Sequence, residues 1–216
     1  MVNMFIAFFC MHDLMNVVSS PLCTMVEPSS SWQPSYLAFM LHFYHLTCFT
    51  SLRLEDVVHH LLFAGALGAF NFLLVWGRMT NLLIFFMTGL PGGIDYAMLV
   101  VVKKGYMDRL KQKAICSSIN TWMRTPGHVA TAGLMLFCTR HGATFLPFPA
   151  FTVTTVAALC LLNGIYYGEQ AVGTFHRMAE KRMKGSFTNL AALSPTFADK
   201  QVGMLDTNDT SHLKRP

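Results

Sequence analysis

A chain of 216 residues that is 53% hydrophobic and only 12% charged carries about half the charged share of a soluble domain, which excludes an ordinary water-soluble fold. The net charge of +5 is gathered into two short basic segments beside apolar runs, a distribution suited to anionic lipid headgroups and not to nucleic acid. The six cysteines show no C-x-x-C pair and no ligand spacing. Cys48, Cys116, Cys138 and Cys160 fall in apolar runs and read as small core residues, so neither disulfides nor a metal site are expected.

In chain order, apolar segments occupy about 2–18, 35–50, 54–76, 79–102, 115–138 and 145–175. As helices they bond every backbone group within their own segment, as hydrocarbon demands. The expected fold is therefore all-α, a polytopic transmembrane bundle of about six helices. Residues 1–34 hold a weak first segment, interrupted by His12 and Asp13, and a non-cytosolic loop. That first segment also reads as signal-like, although it lacks a basic leader. Residues 35–175 form the bundle, and 176–216 a basic, largely disordered cytosolic tail, polar and aperiodic from about Gly185 onward.

Cytosolic loops carry the excess of Lys and Arg. Arg53, the group from Lys103 to Lys113, and the tail bases from Arg177 to Arg215 put thirteen of the 16 bases on one side. Arg78 and Arg140 fall on the other, and Arg124 lies inside a segment. Both termini are then cytosolic, and the sequon Asn208-Asp209-Thr210 stays unglycosylated.

Ionisable groups inside a membrane segment cost a few kcal/mol each and mark function. Here they are His42 and His45 on the second segment, Glu55, Asp56, His59 and His60 on the third, Asp95 on the fourth, Arg124 and His128 on the fifth, and Glu169 on the sixth. Counted from the cytosolic ends at helical rise, His45 and His60 lie roughly 8 Å deep and Asp95 and Arg124 roughly 12 Å deep. That common layer implies a pocket opening toward the cytosolic leaflet.

Asp56 precedes His59 by three residues and His60 by four, so either imidazole can stack over the carboxylate, which would fix its tautomer. Adjacent helical residues point about 100° apart, so His59 and His60 are not expected to aim at one point. His42 taken alone reads as an interhelical hydrogen-bonding residue. Around Gly89-Leu90-Pro91-Gly92-Gly93, Pro91 removes a helix bond and the glycines permit unusual dihedrals or close approach, so a broken or kinked helix is expected just before Asp95. Arg124 is placed to grip a phosphate or carboxylate, or to pair with Asp95. Asn163, Tyr166, Tyr167 and Glu169 belong either to the same pocket or, for the tyrosines, to an interfacial belt.

At Tyr44-His45, Asp56-x-x-His59-His60 and Gly92-Gly93-Ile94-Asp95-Tyr96, on a frame of several membrane helices, the chain resembles the TLC domain family, named from TRAM, LAG and CLN proteins. The resemblance spans roughly residues 35–170 and is nearer to the smaller eukaryotic TLC-domain proteins than to ceramide synthases. In ceramide synthases the matching histidines and intramembrane acids are needed for acyl transfer from acyl-CoA to a sphingoid amine. The resemblance thus implies catalytic roles for His59, His60 and Asp95. Here Asp56 stands closer to the pair than the corresponding acid, and no His precedes Asp95. A role in lipid metabolism or membrane lipid homeostasis follows, at the endoplasmic reticulum or another endomembrane.

Three functions fit these residues. In acyl transfer, one histidine takes the nucleophile's proton, Asp56 or Asp95 orients it, and His45, Arg124, His128, Tyr44 and Glu169 contact substrate. Acyl-CoA is then a co-substrate, held through its phosphates by Arg124 or the Lys103 to Lys113 loop, with no resident cofactor. In the alternative, the protein binds, senses or traffics a membrane lipid without turnover, the pocket holding the lipid and the basic tail meeting anionic headgroups or partners. In the third, facing histidines such as His45 with His59 or His60 ligate haem. No Walker-type glycine loop or G-x-S-x-G elbow is present.

Overall fold

The computed structural model describes residues 2–48, 52, 54–74, 76–144 and 149–193, without the side chains of Phe63, Ala64, Leu67, Ala69 and residues 189–193. Arg53, Lys200, Lys214 and Arg215 of the charge count, the Asn208 sequon and the start of the sixth apolar segment lie outside the described residues. Among the described residues the chain is helical and contains no strand.

The helices are α1 (Val2–Ser19), α2 (Gln33–Cys48), α3 (54–73), α4 (Met79–Lys103), α5 (109–140) and α6 (Ala150–Leu193), with a short 3-10 turn at Pro21–Cys23. Among the described residues three of them, α1, α4 and α6, are long and apolar enough to cross a membrane. The chain divides into two compact units, Met1–Thr174 and Phe175–Pro216.

In the second unit the helix continues to Leu193, within the tail expected to be largely disordered. Met178, Ala179, Glu180, Lys181 and Met183 favour helix. Glu180 and Lys184 add an i,i+4 pair at 2.6 Å.

Three helices of the first unit each contain a widened, π-type turn: Leu61–Leu67 in α3, Phe85–Gly89 in α4 and Asn120–Arg124 in α5. Two of these have an evident cause. Pro91 and Pro126 lack the N–H that would reach the carbonyls of Met87 and Trp122, and each follows its widened turn within two residues. The break expected at 91–93 is thus a wide turn within a continuous helix.

The glycines of α4 serve close approach. Among the described residues only Gly77, Gly105 and Gly142 have positive φ. A Cβ on Gly89 would stand 3.3 Å from the Ala7 Cα, and one on Gly92 would overlap the Asn3 amide at 2.4 Å. The first apolar segment is therefore a packed helix. It buries Asn3, Ile6, Ala7, Cys10, Asp13 and Val17, a stripe at helical spacing, chiefly against α2 and α4. Asn3 Nδ2 donates to the Thr88 carbonyl at 2.7 Å, inside the wide turn of α4.

At the other end of α1, Asp13 is fully buried while its neighbour His12 is exposed. The Asp13 carboxylate accepts from Ser30 N at 3.0 Å and from Asn81 Nδ2 at 2.6 Å. It also lies 3.8 Å from Arg78 Nε, and Arg78 pairs with Glu27. One side chain thus ties α1, the loop before α2 and the start of α4. Beyond it, Met79, Leu82, Met135, Cys138, Val153, Ala157 and Cys160 form an apolar core between α4, α5 and α6.

Removing a buried carboxylate strands the groups it held. Asp13→Ala is expected to lower stability by about 2–4 kcal/mol, with Asp13→Asn losing less because it keeps an acceptor. Thermal unfolding of the purified protein in detergent reads this, and an unchanged transition for Asp13→Ala would count against the clamp.

Candidate functional site

Imidazoles from α2 and α3 meet in a cluster. The ring of His42 lies 5.2 Å from that of His60 and 5.9 Å from that of His59, the His59 and His60 rings are 5.2 Å apart, and His45 is 5.4 Å from His60. His59 and His60 do aim at a common neighbour, contrary to the expectation from helix geometry. The 100° between adjacent residues fixes where their Cβ atoms point, not where the ring tips arrive. Here the ring of His42 comes from a different helix and neighbours both.

The tautomer of His42 follows from its contact. Its Nδ1 is 2.7 Å from the Ala38 carbonyl, which can only accept, so Nδ1 carries a proton and, in the neutral ring, Nε2 keeps a lone pair. Nδ1 of His60 is buried without a hydrogen-bond partner among the described residues. Asp56 lies within electrostatic reach of both His59 and His60, as its spacing along α3 requires.

These histidines line one side of a chamber of about 330 Å³. Asp56 on α3, Asp95 and Tyr96 on α4, Arg124 on α5, Asn163 and Tyr167 on α6 and Asn3 on α1 complete its walls. The Tyr167 ring stacks edge-on to His59 at 4.7 Å. Asp95 accepts from Gln112 Nε2, and Arg124 Nη1 donates to Asn120 Oδ1 at 2.8 Å. The acid and the guanidinium face the same space through partners of their own, within electrostatic reach of each other.

Of the polar residues singled out in the sequence, His42, His45, Asp56, His59, His60, Asp95, Tyr96, Arg124, Asn163 and Tyr167 line the chamber. Tyr44 is exposed beside His45, and Glu169 and Tyr166 are exposed outside the lining. His128 is fully buried behind the wall. Its Nδ1 donates to the Arg124 carbonyl at 2.8 Å, and its Nε2 then accepts from Asn163 Nδ2 at 3.1 Å. Sequence reasoning missed His42 as a member of the cluster, together with Asn3 and Gln112. The signal for His42 was present: it precedes His45 by three residues and so shares its helix face.

A second, narrow cavity of about 70 Å³ adjoins the chamber. Phe39, Phe70, Phe72, Trp76, Leu83 and Met135 make it apolar, and His42 and Met87 belong to the walls of both. Its polar rim is satisfied internally, since Asn71 donates to Ser35 Oγ at 3.1 Å and accepts from Thr80 at 2.7 Å.

Comparison with known protein families, with curated proteins and with solved structures finds no match in any of the three.

His128 and Asn163 act as one unit. Each of His128→Ala and Asn163→Ala is expected to lower stability by about 2 kcal/mol or more. The double variant should fall short of the sum by about 1 kcal/mol in thermal or denaturant unfolding. Full additivity would show that the pair does not bridge α5 and α6.

Proposed function

We propose that this chain is a multi-pass membrane protein of about six spans, both ends cytosolic, that acts on a membrane lipid of an endomembrane in the manner of the TLC family it resembles. Acyl transfer is the reaction the residues support best. The observation that carries this reading is the convergence of four imidazoles, two carboxylates and a guanidinium on one chamber whose wall is shared with an apolar slot. An amphipathic ligand has that shape: a polar, reactive head and an apolar tail. Each of these polar groups is costly in hydrocarbon, and their assembly at one place is the mark of a site.

In the reaction, the hydroxyl or amine of a lipid attacks the carbonyl of an acyl thioester. The new C–O or C–N bond forms, the C–S bond breaks, and an imidazole of the cluster takes the nucleophile's proton and passes it to the leaving thiolate. Asp56 steadies the histidines of α3 electrostatically. Asp95, held by Gln112, faces the nucleophile from the opposite wall. Arg124 and the basic segment from Lys103 to Lys113 supply cations for the phosphates of an acyl-CoA donor.

The test compares wild type with a His59→Ala/His60→Ala variant, expressed at matched levels in cells lacking the native protein, by mass spectrometry of total lipids. A lipid class altered by wild type alone is the expected outcome, with Asp95→Asn reducing the change by at least about tenfold. The same change from both proteins would reject histidine chemistry and favour lipid binding without turnover.

A further inference from the structure

We infer that His42, His59 and His60 form a binding site for a transition-metal dication of the zinc class, with a fourth position open to the chamber. The inference rests on the reading of this chamber as the functional site and deepens it. The ring nitrogens that these residues would offer lie within 4.8 Å of one another. Tetrahedral zinc–imidazole bonds need nitrogens roughly 3.3 Å apart. Closure by at most about 1.5 Å is within the reach of small rotations about side-chain bonds on two packed helices.

The protonation pattern suits a ligand set. A metal-bound histidine characteristically donates its other N–H to a carbonyl or carboxylate, which fixes the ring and keeps the coordinating nitrogen basic. His42 already does so, because its Nδ1 proton is held by the Ala38 carbonyl, which leaves Nε2 for a metal, and its ring neighbours those of His59 and His60. His60 brings a buried ring nitrogen without a hydrogen-bond partner among the described residues.

Charge and softness narrow the ion. Asp56 and Asp95 offset a dication in the chamber, with Arg124 opposing by one charge. Imidazole donors without thiolate favour zinc, copper, cobalt or nickel over calcium and magnesium, which prefer oxygen. Three protein ligands and an adjoining chamber leave room for a lipid oxygen or a water as fourth ligand, the arrangement of reactive rather than structural zinc sites. The ion would then lower the proton affinity of the bound hydroxyl, and His45, 5.4 Å from His60, would stand ready to take the proton.

The experiment uses the whole chain in detergent, stripped with a chelator and titrated with cobalt(II) alone. The expected result is one equivalent bound, with the intense visible bands of a tetrahedral nitrogen site, bleached by added zinc. His42→Gln and, separately, His60→Gln should weaken binding by at least about tenfold while keeping the unfolding transition, and the exposed His12→Ala should bind as wild type. Absence of the bands in wild type, or full cobalt binding by both folded glutamine variants, would overturn the site. The lipid comparison is read independently: a histidine-dependent lipid change without cobalt binding would leave the proposed function standing and remove the metal.

Discussion

The close seam between α1 and α4 sets the position of everything else in the first unit. Gly89 and Gly92 let α1 lie close against α4: a Cβ on Gly89 would crowd the Ala7 backbone, and one on Gly92 would overlap the Asn3 side chain. The seam is locked at one end by Asn3 on Thr88 and at the other by Asp13 on Asn81 and the loop at Ser30. Both locks are polar groups withdrawn from solvent, where a bond left unmade costs far more than one made contributes. From this seam α4 carries Asp95, one turn past Gly92, into the chamber, where the fully buried Gln112 of α5 holds it.

What the sequence revealed and what it hid follow from the cost of each group. The helical class was legible in long apolar runs, and the charged members of the chamber stood out because a carboxylate or guanidinium in such a run needs a reason. Asn3, Gln112 and Asn163 are cheap enough to occur anywhere, so nothing in the order of residues marks their partners. Asp13 was read as a flaw in the first segment because its partners, Ser30 and Asn81, are seventeen and 68 residues away. The wide turns before Pro91 and Pro126 were half legible. Proline announces a lost bond, but whether the helix breaks or widens is decided by packing.

The histidines show the same limit in sharper form. His59 and His60 were recognisable as a pair on one helix, and His42 was unremarkable on another. Only the packing of α2 on α3 makes the three rings neighbours, and with them the joint wall between a polar chamber and an apolar slot. If a metal ion sits at that wall, the pair is not the reactive unit. The ligand set would then be the three rings, with His45 and Asp95 in the same chamber.

All of this depends on α2 and α3 presenting their histidines to each other. The most direct measurement is cross-linking across that interface. His42→Cys and His60→Cys would be combined in a background whose six native cysteines are replaced, and the protein treated in intact membranes with a short bifunctional thiol reagent. With the parent rings 5.2 Å apart, an intramolecular cross-link should form readily and be lost when either cysteine is omitted. If both thiols react with a monofunctional reagent yet never join, the cluster does not exist and the site built on it falls.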